Sequence, residues 1–148
     1  MARADARGDV TVPPGLVPQG TTELGIDIIK VDRIRAALDR FGPRFSRRVL
    51  TEAEQRYVRD RPETMAGRWA AKEAVLKALG TGWRRGISWR DVEIRNERSG
   101  SPTVALRGGA RDYMEQQKIS QVLVSISHCR THATAYAIAV SEPKSKGA

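Results

Sequence analysis

Two carboxylates lie in apolar stretches of the sequence, where an unpaired charge is costly to bury. Asp27 sits in the middle of the run LGIDII, and Glu73 sits at the edge of the apolar stripe of an alanine-rich segment. Lys77 follows Glu73 by one helical turn and therefore shares its side of the helix. Mg²⁺ takes one or two protein carboxylates and completes its octahedron with water and phosphate oxygens, while lysines neutralise the remaining phosphate charge. These three residues therefore predict a magnesium–phosphate site.

Each of these residues also has a purely structural interpretation. Asp27 could cap the helix that follows it, or stabilise a turn. Glu73 and Lys77 could form a surface ion pair, which contributes little to stability. Lys72 projects into the apolar stripe itself, so it must either snorkel to water or find a buried partner.

A histidine ends the alternating segment QVLVSISH, with Ser127 before it and Cys129 after it. Adjacent residues of a strand point to opposite faces, so neither neighbour is well placed to be a nucleophile activated by His128. We therefore interpret His128 as a hydrogen-bonding or phosphate-contacting group. Cys129 is interpreted as a small side chain.

Spacing and turn signals indicate which elements position these residues. Leu24–Ile29 is typical of a buried strand, in which Gly25 allows another backbone to approach closely. A helix is predicted over Val31–Phe41. A long helix begins near Pro62 and ends at the sequence Gly-Thr-Gly, a good stop because glycine accepts the left-handed conformation. Its apolar stripe contains Met65, Trp69, Leu76 and Leu79.

The remaining segments mix short helices with hairpins. Thr51 and Glu54 form a capping box that starts a helix through about Asp60. Strands are predicted around Val92–Ile94, over Thr103–Leu106, over Gln121–His128 and over Thr134–Val140, with a helix over Ala110–Lys118. This order predicts an α+β fold, with a mostly antiparallel sheet packed against a long central helix.

Composition limits the class of protein. The chain has 148 residues, one cysteine and a net charge of +9, so we expect one domain, a reducing compartment and an acidic partner. Met1–Thr22 is interpreted as a disordered extension, 23–141 as the single domain and 142–148 as a flexible tail. No apolar run is long enough to span a bilayer and the N-terminus does not resemble a signal peptide, so a cytoplasmic protein without membrane contact is expected.

Basic residues outnumber acidic ones by about two to one between Lys30 and Arg61. Arg33 and Arg40 share a face of the predicted Val31–Phe41 helix away from its apolar stripe, and Arg44 extends the basic run. A solvated basic face is the usual interpretation. The one-sided placement also suits docking of an acidic partner.

Four segments, in this order, resemble one family. GIDIIKVDRI, WAAKEAVLKALGTG, NERSGSP and VSISH closely resemble the holo-acyl-carrier-protein synthase group of 4′-phosphopantetheinyl transferases. The resemblance runs from about Leu24 to Val140. It implies transfer of the phosphopantetheine arm of coenzyme A to a serine of apo acyl carrier protein, which releases adenosine 3′,5′-bisphosphate.

The resemblance also implies roles for individual residues. Asp27 and Glu73 match the residues that hold Mg²⁺ on the coenzyme A diphosphate, and Lys77 matches a lysine near the phosphate that is transferred. The proton acceptor for the serine is Glu73, a water on the metal or His128, of which we favour the first two. The positions that match the family's coenzyme A cleft are Arg68, Lys77, Gly80, Thr81, Asn96, Gly100, Pro102, Ser127 and His128.

The resemblance further implies partners and an assembly. The Val31–Phe41 helix matches the docking helix for the carrier, with Arg33, Arg40 and Arg44 facing its acidic residues. Family members are commonly trimers with clefts between subunits, so one site can draw on two chains. Lys72 is then expected near the cleft or the subunit interface.

Two residues depart from the family pattern. Ser101 stands where a lysine is common, and Cys129 stands where a hydroxyl residue is common. The alternative function is a small basic nucleic-acid-binding module. It accounts for the charge, but aromatic residues make up only 5% of the chain and the clearest helix is alanine-rich, so we predict no nucleic-acid partner. A degenerate structural homologue is disfavoured by the intact Asp27 and Glu73.

Overall fold

The fold mixes helices and strands in the predicted α+β arrangement. The structure is a computed structural model that describes residues 3–4, 10–11, 22–82 and 86–142. The helices are α1 Val31–Phe41, α2 Pro43–Val49, α3 Glu52–Val58, α4 Pro62–Leu79 and α5 Gly108–Gln116. The strands are β1 Arg3–Ala4, β2 Val10–Thr11, β3 Thr22–Lys30, β4 Val92–Asn96, β5 Pro102–Leu106, β6 Ile119–His128 and β7 His132–Ser141.

All strand pairs are antiparallel. The main sheet has three strands in the order β3-β7-β6, while β4 pairs with β5 and β1 pairs with β2 in two separate ribbons. The predicted disordered extension, apart from β1, β2 and the start of β3, lies outside the described residues, as does nearly all of the predicted tail. Both remain predictions. No helix of the described ranges is long and apolar enough to cross a membrane.

Helix α4 lies against one face of the main sheet and is buried along most of its length. Small residues make this contact, because only they let the helix axis come close to the strands. A Cβ built on Gly25 of β3 would lie 2.0 Å from the carbonyl oxygen of Ala74 and 2.7 Å from the amide nitrogen of Ala78. The close approach predicted at Gly25 is therefore confirmed, and its partner is the backbone of α4.

The opposite side of α4 carries the predicted apolar stripe, and Lys72 lies within it. Its side chain is 0% exposed, so Lys72 has a buried partner and does not snorkel to water. That Lys72 lies near the cleft or a subunit interface stays a prediction. The Nζ atom donates to Glu54 Oε1 at 2.6 Å, to the carbonyl of Val92 at 2.6 Å and to the carbonyl of Trp89 at 3.0 Å. All three ammonium protons therefore have acceptors, as a buried lysine requires. Burial lowers the pKa of Lys72, and the charge of Glu54 acts against that shift.

Glu54 joins this lysine to two further elements. It completes the predicted capping box at the start of α3, because its side chain accepts from the Thr51 amide while its own amide donates to the Thr51 hydroxyl. Its second oxygen accepts from the amide of Ile94 in β4 at 3.3 Å. One ion pair therefore fixes the relative positions of α3, α4 and β4.

Helix α2 was not predicted from the sequence. It is seven residues long and begins with Pro43 at its first turn, a position that proline favours. A helix of two turns is too short to show a clear apolar stripe, and the three arginines of α2 leave few apolar positions that could show a helical period. It turns the basic run after α1 into a second short helix with Arg44, Arg47 and Arg48 exposed.

Replacing Lys72 with methionine should lower the free energy of unfolding by about 3–5 kcal/mol, because the Glu54 carboxylate would stay buried without its cation. Urea denaturation followed by circular dichroism measures the effect. Lys30→Met, which removes an exposed lysine, is the matched control and should change stability by less than about 0.5 kcal/mol. Equal stabilities of the two variants would contradict the role given to Lys72.

Replacing Gly25 with alanine should cost about 3 kcal/mol or more, because the new Cβ meets backbone atoms that cannot move independently. Gly67→Ala is the matched control. Its Cβ would meet side-chain atoms alone, the Cγ2 atom of Ile126 at 3.1 Å and the Cδ2 atom of His128 at 4.0 Å, and alanine gains about 1 kcal/mol over glycine inside a helix. Thermal unfolding of both variants should therefore show a large loss for Gly25→Ala alone.

Candidate functional site

Asp27 and Lys77 meet where β3 crosses the last turns of α4. Asp27 shares with Gly25 and Ile29 the face of β3 that packs on the helix, because side chains alternate along a strand. Lys77 Nζ lies 2.9 Å from Asp27 Oδ1 and 3.0 Å from the carbonyl oxygen of Ile26. The side chain of Asp27 is only 15% exposed, whereas that of Lys77 is 52% exposed. The aspartate therefore faces a cation at the edge of the helix–sheet contact.

Glu73 lies one helical turn before Lys77 and is half-buried on the same side of α4. No group of three or more histidine, cysteine or acidic residues within the described residues could enclose a metal ion. This donor set suits Mg²⁺, which needs only one or two protein carboxylates when a phosphate ligand and water supply the other oxygens. The predicted pair Asp27 and Glu73 therefore fits a metal that is shared with a bound phosphate ligand.

A second group of predicted residues surrounds Arg68, one turn and a half before Glu73 on α4. The Nη2 atom of Arg68 donates to Asn96 Oδ1, and Asn96 Nδ2 donates to the carbonyl of Gly100 at 3.0 Å. Pro102 pairs with Asn96 across the β4–β5 ribbon. Four predicted residues of the coenzyme A cleft are thus brought together at the end of this ribbon.

Two buried polar atoms of the predicted cleft have no hydrogen-bond partner among the described residues. They are the Nε atom of Arg68 and the hydroxyl of Thr81. Buried polar groups are normally satisfied, so each such atom calls for a ligand or water. Burial lowers the pKa of Arg68, which nevertheless stays a cation. These atoms fit a polar ligand such as the phosphate or ribose groups of coenzyme A.

The end of α4 has the predicted glycine stop. Gly80 adopts the left-handed conformation with φ of 75°, and its amide donates to the carbonyls of Leu76 and Lys77. Thr81 follows and is buried, with its amide bonded to Leu76. Gly80 therefore turns the chain so that Thr81 lies beside the last turn of the helix that carries Lys77.

The two residues at the end of β6 point in opposite directions. His128 and Ile126 share the sheet face that packs on α4, and both lie near Gly67 of that helix. Ser127 faces the other side of the sheet with Thr134. Within one chain, Ser127 is therefore separated by the sheet from Asp27 and the other predicted residues of the cleft.

Cys129 lies in the exposed turn after β6. Its thiol is 3.4 Å from the hydroxyl of Thr131, and this hydrogen bond lowers the pKa of the thiol. The same hydroxyl lies 2.9 Å from Nδ1 of His132. The small-side-chain interpretation of Cys129 omitted these polar contacts, which the spacing of the turn residues does not reveal.

The predicted docking residues lie exposed on neighbouring helices. Arg33 and Arg40 are on α1 and Arg44 is on α2. Phe41, the last residue of α1, is also exposed, with the guanidinium of Arg40 5.1 Å from its ring centre. The last turn of α1 extends past the core formed by Val31 and Ile34.

An aromatic groove beside these arginines was missed in the sequence. It encloses about 500 Å³ between α1, α2, α4 and the short 3₁₀ turn Trp89–Asp91. Its side chains are Phe41, Arg44, Phe45, Arg48, Val49, Trp69 and Trp89. Trp69 stacks on Phe45 at 5.8 Å and meets Trp89 at 4.2 Å between ring centres. Because Trp69 lies one turn before Glu73 on α4, the groove leads from the arginines towards the carboxylates.

Tyr57 also escaped the sequence analysis. Its ring lies on α3 with the guanidinium of Arg68 4.5 Å from the ring centre, and that of Arg61 5.3 Å away. Such contacts are attractive because the face of an aromatic ring is electron-rich. A lone tyrosine in a short helix carries no sequence signal for this role.

Comparison with known proteins gives a consistent assignment. The model of the 4′-phosphopantetheinyl transferase superfamily matches residues 23–141. The holo-[acyl-carrier-protein] synthase of Protochlamydia amoebophila is 46% identical over 121 residues, which cover 80% of this chain and 97% of that protein.

Solved structures agree with the sequence matches. The Helicobacter pylori holo-[acyl-carrier-protein] synthase in complex with coenzyme A has a TM-score of 0.72 and 31% identity, and the match covers 78% of this chain and 98% of that one. The Bacillus anthracis holo-(acyl-carrier-protein) synthase in complex with CoA (3′,5′-ADP) has a TM-score of 0.67 and 35% identity, over 81% of this chain and 96% of that one. The chain therefore belongs to the 4′-phosphopantetheinyl transferase superfamily, within its holo-acyl-carrier-protein synthase group.

Proposed function

We propose that this holo-acyl-carrier-protein synthase transfers the 4′-phosphopantetheine group of coenzyme A to a serine of apo acyl carrier protein at the site formed by Asp27, Glu73 and Lys77. Adenosine 3′,5′-bisphosphate is the second product. The observation that carries the assignment is the contact between Lys77 of α4 and Asp27 of β3 at 2.9 Å. It places a cation and a metal-type carboxylate, distant in sequence, at one point. Membership of the 4′-phosphopantetheinyl transferase superfamily favours a transferase over the nucleic-acid-binding alternative.

The mechanism requires charge neutralisation more than covalent chemistry. The serine hydroxyl attacks the phosphorus on the pantetheine side, and the bond to the adenosine-side phosphate breaks. Mg²⁺, held by Asp27 and Glu73, supplies charge stabilisation for both phosphates when it is bound. Lys77 would bind a phosphate oxygen and stabilise the charge that develops on it, while Glu73 or a water would accept the serine proton. Rigid placement on α4 supplies the orientation that phosphoryl transfer needs.

Lys77 and Arg68 are nine residues apart on α4 and therefore emerge on opposite sides of the helix. In this proposal one coenzyme A contacts both groups only where the Lys77 side of one subunit meets the Arg68 side of a neighbouring subunit. The hydrogen-bonded group of Arg68, Asn96 and Gly100 would hold the adenosine end, and the unpartnered Nε of Arg68 has a donor to offer a phosphate or ribose oxygen. Gly80 and Thr81 would line the cleft beside Lys77. Pro102 and His128 would line it beside Arg68. Ser101, which replaces a lysine, leaves Arg68 as the principal positive charge among these residues.

The acyl carrier protein docks on the arginine face of α1 and α2. Arg33, Arg40 and Arg44 supply charges for acidic side chains of the carrier, which steer association and fix its orientation. The aromatic groove supplies apolar contact beside them, and its Trp69 end lies next to Glu73. An acidic amphipathic helix that lies in this groove would place an adjacent serine close to the phosphate.

A homotrimer with sites between subunits accounts for the uncovered face of the main sheet. Five large apolar side chains are exposed there, and Ile28 at 67% is the most exposed of them. A contiguous apolar patch of this kind marks an interaction surface. Ser127 lies on the same face, so assembly would bring it to a neighbouring subunit's site. The apolar residues of this face are Leu24, Ile26, Ile28, Leu123 and Tyr136.

The cytoplasm remains the predicted compartment.

Replacing Glu73 with glutamine should reduce transfer by about 100-fold or more, because the metal loses one charged ligand and the serine its acceptor. The assay incubates the chain with coenzyme A, Mg²⁺ and apo acyl carrier protein and measures the mass gain of the carrier. Glu115→Gln, at an exposed glutamate of α5, should keep wild-type activity. Full activity of Glu73→Gln would refute the metal assignment, and absence of transfer by the wild-type chain would refute the function.

Reversing the charges of Arg33 and Arg40 to glutamate should raise the KM for the carrier by about tenfold at low salt, because acidic residues would then be repelled. The effect should shrink as salt screens the charges. The matched double reversal at Arg111 and Lys118, both exposed on or just after α5, should leave the KM for the carrier unchanged. A change in the KM for coenzyme A instead would show that these arginines do not form the docking face.

Replacing Ile28 with glutamate should convert the trimer into monomers, because a charge would lie in an apolar interface. Size-exclusion chromatography with light scattering measures the mass, and the mass-gain assay should show lost transfer. Gln116→Glu adds the same charge on α5 and should leave the trimer intact. A monomeric wild-type chain, or a fully active Ile28→Glu monomer, would contradict sites shared between subunits.

A further inference from the structure

Lys77 is bonded to the residue that is proposed to hold the metal. Its ammonium donates to Asp27 Oδ1 at 2.9 Å and to the carbonyl of Ile26 at 3.0 Å, so two of its three protons are engaged on β3. The proposed reaction instead requires the same ammonium on a phosphate of coenzyme A. One lysine therefore has two alternative anionic partners.

Only one member of this ion pair is free to leave. Asp27 is fixed by its strand and by the close contact of Gly25 with α4, and its side chain is 15% exposed. Lys77 lies at the open edge with 52% of its side chain exposed, on a flexible four-carbon stem. A change of partner would therefore move Lys77 and leave Asp27 in place.

We propose that Lys77 competes with a divalent metal for Asp27 in the free protein, and that the phosphates of coenzyme A relieve this competition by drawing Lys77 to themselves. The inference rests on the proposed metal role of Asp27 and Glu73. A carboxylate oxygen that accepts from an ammonium is a poorer metal ligand, and two cations near one carboxylate repel each other. Phosphate oxygens attract the lysine strongly because the hydrogen bond is charge-assisted on both sides.

The consequence is cooperative binding of metal and coenzyme A. Whatever removes Lys77 from Asp27 improves the affinity for metal, and linkage requires that metal improve the affinity for coenzyme A by the same factor. The lysine thereby disfavours a metal-loaded site without substrate. Metal on Asp27 and Lys77 on a phosphate would therefore occur together only when the protein holds both the metal and coenzyme A.

The test measures Mn²⁺ binding to the full chain, with the free ion followed by electron paramagnetic resonance. In the absence of coenzyme A, Lys77→Met should bind Mn²⁺ about tenfold more tightly than the wild-type chain, within the range typical of coupled sites. Lys30→Met is the matched control, because it removes the same charge three residues beyond Asp27 from an exposed position. Its Mn²⁺ affinity should stay within about twofold of wild type.

A second arm repeats the titrations with saturating coenzyme A and corrects for Mn²⁺ bound by coenzyme A itself. The wild-type chain should gain roughly 5- to 150-fold in Mn²⁺ affinity, and Lys77→Met should gain much less, because its competitor is already absent. Adding Asp27→Asn to Lys77→Met should remove the tight binding, which would assign it to Asp27. Circular dichroism melting curves confirm that each variant is folded.

The outcomes separate this inference from the function it rests on. Equal Mn²⁺ affinity of wild type and Lys77→Met in the free protein, with binding improved by coenzyme A in both, overturns the competition and leaves the metal site intact. No Mn²⁺ binding by any of the proteins, even with coenzyme A, overturns the metal role of Asp27 and Glu73 and this inference with it.

Discussion

The buried ion pair between Lys72 and Glu54 is the interaction on which the arrangement of this protein depends. A lysine without access to water is tolerated only because a carboxylate and the backbone carbonyls of Trp89 and Val92 accept all three of its protons. That requirement fixes how deep α4 lies and how it is rotated about its axis. The rotation in turn determines that Glu73 and Lys77 emerge on the side facing Asp27. A buried structural charge thus sets the geometry of the exposed charges that are proposed to bind the substrate.

Local patterns predicted much of the fold. The bounds of α1, the capping box of Thr51 and Glu54 and the glycine stop of α4 are confirmed, because each depends on neighbours in sequence. The close approach at Gly25 is confirmed too, although its partner, the backbone of α4, is distant in sequence. The partner of Lys72 could not be predicted, since Glu54 lies 18 residues away and already had a local role as a cap. The aromatic groove escaped for the same reason: its members come from separate elements and make no periodic pattern.

For the candidate site, too, the sequence predicted some features and not others. The sequence resemblance correctly assigned the family, and the structure joins Asp27 with Lys77 and Arg68 with Asn96 and Gly100. Strand alternation predicted that Ser127 and His128 point to opposite faces, and the register confirms it; the resemblance had nevertheless assigned both residues to one cleft. Whether two residues share a site therefore depended on which face each one occupies, which only the strand register determines.

The nine residues of β3 carry two unrelated sets of side chains. Those at 25, 27 and 29 meet α4 and include the proposed metal ligand, while those at 24, 26 and 28 form the uncovered apolar face. A slip of one residue against β7 would exchange the two sets, bringing an isoleucine to the phosphate and turning the carboxylate outwards. Insertions and deletions in this strand are thus excluded for two reasons at once. The proposed assembly and the proposed metal site would consequently have to evolve together within a single short segment.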